Sequence, residues 1–374
     1  MHWTHLPVAL VEENGVMIFS GSAVVDWNNT SGFGTATQPA VVAIYTGHQV
    51  SPELEAQNLA FSTDRGRTWK KFSGNSVLNI DSRSFRDPKV FWHAPTKKWV
   101  MVVSHADDKT LGLYGSRDLK KWESLSTFGP AGAHNKRNWE CPDLFELPVE
   151  GKPEQKKWVL QVALGGGAVN GGSGGEYFVG TFDGKEFHID NPPDVVLWAD
   201  YGKDDYAAVS WSDIPASDGR RLWLGWMNNW QYADKIPTHP WRGAMTVPRV
   251  LTLKQTDQGL RLAQRPAAEL QRLRGEHKQY SDVRVKPDAP FVPGLSGASL
   301  EIIAEFEPGS ATEFGLKVRK SASEQTVVGY DGQLFVDRIE SGMTDFSPEF
   351  PGTSKFTSSW IARRWRCSGT TAMS

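Results

Sequence analysis

The chain has little cysteine and no long apolar segment. Only Cys141 and Cys367 occur among its 374 residues, too few for a disulfide framework or a four-cysteine zinc ribbon. No run approaches the roughly 18 consecutive apolar residues of a membrane-spanning helix. Met1 is followed by His2-Trp3-Thr4-His5, which does not resemble a signal peptide. The sequence therefore predicts no membrane span and shows no leader.

The chain also lacks a large excess of either basic or acidic residues. The chain has 41 basic and 43 acidic residues, for a net charge of −2, which gives no electrostatic basis for binding nucleic acid or an anionic membrane. His2 and His5 have no third ligand at a suitable spacing, and Gly165-Gly166-Gly167 is not followed by the Gly-Lys-Ser/Thr of a phosphate loop. We therefore predict no metal and no cofactor, and the sequence does not indicate an oligomeric state.

Tryptophan and glycine are abundant, with 16 and 36 residues, and helical periodicity is scarce. A three-part unit recurs: an Asp- or Pro-led strand, a Trp-led apolar strand and a closing hairpin. These parts occur at 87–91 and 141–145, at 98–103, 157–162 and 221–226, and at 59–69, 113–122 and 178–187. Strands and hairpins repeating every 50 residues or so are typical of β-propeller blades.

The repeat also predicts the domain boundaries. Residues 2–6 match the closing segment at 121–125, so the first blade is expected to be incomplete. Later blades are predicted at 15–75, 84–126, 138–190 and 204–253. We predict a five-bladed propeller over 1–253, a linker over 254–290 with a short helical stretch at 267–274, a partial β-sandwich over 291–352 and an atypical tail over 353–374.

Acidic residues open several of the predicted inner strands, whose starts converge on the mouth of a propeller's channel. They are Asp87, Glu140 and the pair Asp204 and Asp205. Glycosidases need a proton donor and an ionised carboxylate around the scissile bond. Trp139, Cys141 and Pro142 surround Glu140 with apolar groups that favour a protonated acid. Arg86 is expected to keep Asp87 ionised and to lower its pKa.

Two alternatives compete with this glycosidase prediction. Asp and Pro are common in ordinary turns, so these acids could be structural. Residues 62–69, Ser-Thr-Asp-Arg-Gly-Arg-Thr-Trp, match the Asp-box hairpin of sialidases. A sialidase would show several such boxes and an arginine triad, whereas this sequence has one clean box.

Six short motifs resemble glycoside hydrolase family 32 and follow that family's order. They are His2–Pro7, Phe19–Ala23, Phe85–Lys89, Glu140–Phe145, Trp226–Tyr232, and Trp241–Met245 with Pro248-Arg249. The resemblance implies a five-bladed propeller followed by a β-sandwich. It also implies retaining hydrolysis of β-fructosides such as levan, inulin or sucrose, in an enzyme of levanase, exo-inulinase or invertase type.

The resemblance also assigns roles to residues. Glu140 would be the general acid/base, and Asp87 would stabilise the transition state by binding fructose hydroxyls. Arg86 would support Asp87 by charge-assisted hydrogen bonds. The fructose pocket would also include Phe19 and Ser20, the apolar wall of Trp230, and Asp205 and Tyr206 at the start of the last blade.

One departure from the family is large. The family's nucleophile lies in an Asn-Asp-Pro-Asn-Gly motif that does not occur in this sequence, and loss of a nucleophile costs on the order of 10⁴ in rate. We expect the 374 residues to be inactive or weakly active and to derive from a secreted parent. A non-catalytic, fructan-binding remnant is the alternative. The sandwich also stops early by comparison with the family.

Overall fold

A computed structural model describes residues 4–134, 136–287, 290–291, 294, 296–297, 299–356 and 364–369. Nearly all regular structure there is β-strand. The two exceptions are single 3₁₀ turns at Ala233–Lys235 and Ala268–Leu273. No helix among the described residues is long and apolar enough to cross a membrane. The all-β prediction is confirmed.

The chain divides into two compact units. Unit 1 comprises Met1–Gln231 and Met245–Arg265, and unit 2 comprises Tyr232–Ala244 and Pro266–Ser374. The site described below lies in unit 1.

The first two sheets of unit 1 are antiparallel and follow chain order. The first contains β1 (Val16–Val25), β2 (Val41–Val50), β3 (Glu53–Ser62), β4 (Lys70–Lys71) and β5 (Leu78–Ser82). The second contains β6 (Phe85–His93), β7 (Lys98–His105), β8 (Thr110–Ser116) and β9 (Glu123–Phe128).

The remaining strands of unit 1 form two further groups, linked by one parallel pairing between Val149 and Leu253. One contains β10 (Trp139–Val149), β11 (Lys152–Leu164), β12 (Gly174–Phe182), β13 (Phe187–Ile189) and β14 (Leu197–Trp198). The other contains β15 (Tyr206–Ser210), β16 (Arg221–Met227), β17 (Ala244–Met245), β18 (Arg249–Thr256) and β19 (Gly259–Pro266).

Apolar side chains cover both faces of the middle strands. In β7, Val100 and Val102 pack in a cluster with Leu160 of the following sheet. The alternate residues Met101 and Val103 pack in a cluster with side chains of the preceding sheet. Because successive residues of a strand face opposite sides, each sheet is held between its neighbours, as blades are.

Unit 2 is also built of strands. They are β20 (Leu300–Glu305), β21 (Phe314–Val318), β22 (Thr326–Tyr330), β23 (Leu334–Asp337), β24 (Thr353–Phe356) and β25 (Arg364–Gly369). Strands β21 to β24 form one antiparallel sheet, and β20 pairs with β25.

The structure differs from three of the predicted boundaries. The first part of the predicted linker is β-strand, because β18 runs to Thr256 and β19 fills 259–266. The apolar residues Leu260 and Leu262 of β19 pack on the core of unit 1. The predicted tail contains β24 and β25. At the other end, residues 4–12 form no strand, and residues 1–3 lie outside the described part.

Candidate active site

An open cleft of about 600 Å³ in unit 1 collects most of the predicted site residues. Its lining residues are Phe19, Ser20, Glu55, Arg86, Asp87, Glu140, Cys141, Tyr206, Ala207, Trp226 and Trp230. Seven of the eight residues assigned from sequence are in this set, and Asp205 is not.

A repeated backbone irregularity brings these side chains to the cleft. The strand register shifts between Ile18 and Gly21 in β1, Arg86 and Lys89 in β6, Glu140 and Asp143 in β10, and Tyr206 and Val209 in β15. At three of the four shifts a non-glycine residue has positive φ: Asp87 (64°), Cys141 (48°) and Ala207 (53°). A bulge re-aims side chains, so four strands present polar groups at one place.

Arg86 connects two of the carboxylates. Its Nη1 donates to Glu55 Oε2 at 2.9 Å, and its Nε donates to Glu140 Oε1 at 3.1 Å. Burial opposes the charge on Arg86, but Glu55 and then Glu140 outweigh it and raise the pKa of the guanidinium. Arg86 therefore remains a cation at the base of the cleft.

Asp87 is held by backbone and hydroxyl groups. Its N–H donates to Thr46 Oγ1, and Cys141 N–H donates to Asp87 Oδ2, both at 2.9 Å. The expected lowering of its pKa is wrong: burial raises the pKa of Asp87 to about 6, against the hydrogen bond from Cys141, while nearby Glu140 adds repulsion. Arg86 lowers the pKa of Asp87 but does not outweigh burial, and its side chain bonds Glu55 and Glu140 instead.

Glu140 receives a donor on each oxygen. Arg86 Nε bonds Oε1, and the hydroxyl of Tyr206 donates a short hydrogen bond to Oε2. Burial, followed by the charge of Glu140, raises the pKa of Tyr206 far above its usual value, so Tyr206 stays a donor. The carboxyl group is thus fixed in orientation, and the side chain remains 21% exposed.

Aromatic rings form the wall of the cleft. Trp230 is 52% exposed and meets Trp226 edge to face, with centroids 5.0 Å apart. The backbone N–H of Trp230 donates to Ser173 Oγ at 3.0 Å, which ties Trp230 to the glycine-rich loop at residues 165–173. On β1, the ring of Phe19 stacks on the ring of His48 from β2, with centroids 4.4 Å apart. These are flat apolar surfaces beside a polar base.

Asp205 faces away from the cleft. Its Oδ2 accepts from Arg249 Nη1 at 3.2 Å, and the same nitrogen donates to Asp200 at 2.7 Å. Burial and repulsion from Asp200 raise the pKa of Asp205 to about 7. Tyr206 therefore lines the cleft, and Asp205, the residue before β15, does not. That Tyr206 reaches a substrate stays a prediction.

Glu55 was not foreseen from sequence. It lies in β3 and not at the start of an inner strand, so the search among strand-start acids could not find it. The available signal was an acid within the strand Glu53–Ser62, most of whose residues are buried.

The predicted Asp box is a structural turn. Asp64 accepts from Thr68 N–H and Thr68 Oγ1–H, and Trp69 Nε1 donates to Gly66 O at 3.0 Å. These bonds are internal to residues 62–69, which do not line the cleft.

In the described part of the chain, no group of three or more His, Cys, Asp and Glu side chains could hold a metal ion. His2 lies outside that part.

Residues 1–266 match the N-terminal domain of glycosyl hydrolases family 32, and residues 269–360 match that family's C-terminal domain. The chain belongs to glycosyl hydrolase family 32. It is 55% identical over 359 residues to a levanase of Bacillus subtilis (strain 168), covering 93% of this chain and 52% of that protein. An extracellular exo-inulinase of Aspergillus niger is 38% identical over 93% of this chain and 71% of its own length.

Solved structures agree with the family assignment. An exo-inulinase from Aspergillus awamori superposes with a TM-score of 0.84 at 34% identity, over 95% of this chain and 75% of that one. A fructofuranosidase from Schwanniomyces occidentalis complexed with fructose gives 0.79 at 32%, over 94% and 72%. The predicted propeller followed by a β-sandwich is thereby confirmed. The chain spans about half the length of the Bacillus subtilis levanase.

Proposed function

We propose that this family 32 chain carries the acid/base side of a site that releases terminal fructose from levan, inulin or sucrose. The observation that carries the proposal is the joining of Glu140, Asp87, Arg86 and Tyr206 in one cleft. Relatives described as levanase, exo-inulinase and invertase support the substrate class. Relatives described as extracellular support a secreted parent protein.

The cleft suits a single terminal sugar. Carboxylates and a guanidinium at its base supply the charged partners that bind hydroxyl groups strongly. The exposed face of Trp230 supplies an apolar surface for the C–H side of a sugar ring. A cleft with one polar end and one aromatic wall favours removal of an end unit, whereas an endo-acting enzyme needs an extended groove.

Glu140 is the proposed general acid/base. It would donate its proton to the glycosidic oxygen as the bond to fructose breaks, and would then accept a proton from the attacking water. Arg86 and Tyr206 hold its two oxygens, so the carboxyl group faces the cleft in one orientation. Such orientation is a large part of what a catalytic site contributes.

Asp87 is the proposed stabiliser of positive charge on the sugar. Only its ionised form can do this, and its pKa of about 6 means that the ionised fraction grows as pH rises through 6. Cys141 N–H fixes one carboxylate oxygen by a 2.9 Å bond. The other oxygen remains for sugar hydroxyls.

The nucleophile is the remaining requirement. Retaining glycosidases use a second carboxylate as nucleophile, and the Asn-Asp-Pro-Asn-Gly motif is absent from the 374 residues. We propose that these residues alone are inactive or release fructose slowly, while retaining the ability to bind it. A purely fructan-binding role is the alternative.

The test is fructose release from levan, inulin and sucrose at pH 6.5 to 7, where Asp87 is largely ionised. Glu140→Gln is compared with Glu146→Gln, an exposed acid on the same strand. Slow release that disappears in Glu140→Gln but persists in Glu146→Gln supports the proposal. Release that survives in Glu140→Gln contradicts the role of Glu140.

Absence of release requires a binding measurement on the same chain. Retardation in native gels containing levan or inulin, lost in Trp230→Ala, would favour the binding alternative. The absence of both fructose release and gel retardation would refute the proposed function.

A further inference from the structure

Glu55 is a third carboxylate in the cleft and is the most buried of the three, at 2% exposure. Its Oε2 accepts from Arg86 Nη1 at 2.9 Å, and its Oε1 contacts His48 Nδ1 at 3.2 Å. His48 in turn stacks on Phe19. Glu55 therefore links Arg86, which bonds Glu140, to His48, which stacks on the Phe19 ring of the cleft wall.

We propose that Glu55 is a positioning residue that holds Arg86 in place beside Glu140 and shares the positive charge of Arg86 with it. The inference rests on the proposed function of this cleft and adds a residue to it.

One guanidinium serves both acids. Its Nε and Nη1 belong to one rigid planar group, so Glu55 Oε2 and Glu140 Oε1 are no more than about 8 Å apart. Among its charged neighbours, Glu55 has the largest effect on Arg86, followed by Glu140 and then Asp87. The electrostatic interaction of Arg86 with Glu55 is therefore stronger than its interaction with Glu140.

Other titratable groups also face this pair. Glu140 is approached by Arg86 and Asp87 on β6, by Cys141 on its own strand and by Tyr206 on β15. Glu55 is approached by His48 on β2 and Arg86 on β6. Loss of the Glu55 charge alone leaves these groups in place.

The direction of the effect follows from two terms of the same sign. Without a charge on Glu55, Arg86 is attracted only to Glu140 and Asp87, and the repulsion between Glu55 and Glu140 disappears. Both changes favour the ionised form of Glu140. At this separation and an effective dielectric constant of roughly 20 to 40, the titration midpoint should fall by about 0.8 to 1.5 pH units.

The test is a pH titration of the side-chain carboxyl ¹³C signal of Glu140, assigned by its loss in Glu140→Gln. The variants are Glu55→Gln, the charge-retaining Glu55→Asp and the control Glu53→Gln. Glu53 is exposed and lies two residues away on the same strand. We expect a lower midpoint in Glu55→Gln and the wild-type midpoint in the other two.

Two outcomes would overturn the inference. One is an unchanged midpoint in a folded Glu55→Gln chain, and the other is an equal shift in Glu55→Asp. If Glu55→Gln fails to fold, His48→Gln takes its place. It leaves the charge of Glu55 and its bond to Arg86 in place, so a lowered midpoint in His48→Gln would assign the effect to His48 and overturn the inference.

Turnover separates this inference from the proposed function. In an active chain, the alkaline limb of the rate profile should move to lower pH in Glu55→Gln, whereas a loss of fold would lower the rate at every pH. A chain without turnover agrees with the proposed lack of a nucleophile, and the titration then decides the role of Glu55. Absence of both fructose release and retardation by fructan would count against the proposed function and leave the titration result standing.

Discussion

At the scale of single residues, Glu176 is a buried acid outside the cleft. It lies in β12, is fully buried, and accepts from Ala133 N–H at 2.9 Å through Oε2. Its Oε1 has no partner among the described residues. Burial raises the pKa of Glu176 to about 7, opposed by the bond from Ala133.

The raised pKa of Glu176 predicts a pH-dependent stability. Its contribution is present below pH 4.5, the usual value, and is lost as pH rises through 7. Glu176→Gln should therefore gain stability relative to wild type across this window, by on the order of 3 kcal/mol at alkaline pH. Urea unfolding at pH 5 and pH 8.5 measures the difference.

The exposed Glu154 of β11 provides the control for Glu176. Glu154→Gln should show the same stability difference from wild type at both pH values. A Glu176→Gln difference that does not grow with pH would mean that the carboxylate is ionised, and compensated, in the folded chain.

Residue identity was easier to predict from sequence than side-chain environment. Glu140 and Asp87 follow from acids at repeated strand starts, because the repeat locates those starts. The pKa of Asp87 does not follow, since it depends on where the Arg86 side chain goes. Arg86 adjoins Asp87 in sequence but bonds Glu55, which is 31 residues away, and no local pattern encodes that choice.

At the scale of elements, the four register shifts explain which predictions hold. Strand positions follow from alternation and from the Trp-led repeats, so the inner strands were located to within a few residues. A bulge changes which side chains face the cleft, and its position is not visible as a hydrophobic pattern. Sequence could therefore locate Asp205 and Tyr206 at the start of one strand without choosing which of them lines the cleft.

The side chain of Asn229 bonds the glycine-rich loop at residues 165–173. Asn229 Nδ2 donates to Gly171 O at 3.2 Å and to Ser173 O at 3.3 Å, and its Oδ1 accepts from Ser173 N–H. A Cβ at Gly172 would lie 1.9 Å from Asn229 Oδ1, and the φ of Gly172 is +70°. Position 172 therefore requires glycine, because the backbone there approaches this amide closely.

Asn229→Ala should release the glycine-rich loop. Several buried backbone groups lose their partner, each costing about 1 kcal/mol or more. The loop amides should exchange with deuterium at least tenfold faster, and the neighbouring Trp230 should bind substrate more weakly. Hydrogen exchange followed by mass spectrometry measures the first effect.

The matched control for the loop is Asn28→Ala, at an exposed position. It should leave exchange in residues 165–173 unchanged. Equal exchange in Asn229→Ala and wild type would show that backbone bonds alone hold the loop.

At the scale of the whole molecule, long-range bonds join the first two sheets of unit 1 to its last group of strands. Lys89 of β6 donates a short hydrogen bond to Ser210 O of β15, 121 residues away. Asp213 accepts from Val25 N–H at 2.9 Å and from Trp27 Nε1 at 3.1 Å, across 188 and 186 residues. Such contacts form late, because closing a long loop costs entropy.

Asp213 offers a measurable test of this closure. Asp213→Asn keeps a residue that tolerates the positive φ of 54° at this position but loses one of two acceptors. We expect unit 1 to lose about 1 kcal/mol of unfolding free energy, mostly through faster unfolding, since late contacts are weak in the transition state. Unfolding rates in urea, followed by tryptophan fluorescence, measure the change.

Asp218 is the local counterpart, since it bonds Arg220 two residues away. Asp218→Asn removes a carboxylate of the same type without touching a distant sheet, and its unfolding rate should match wild type. If both substitutions gave the same result, sequence separation would not matter and unit 1 would not depend on Asp213 to join its ends. A faster unfolding rate in Asp213→Asn alone would assign that role to one exposed aspartate.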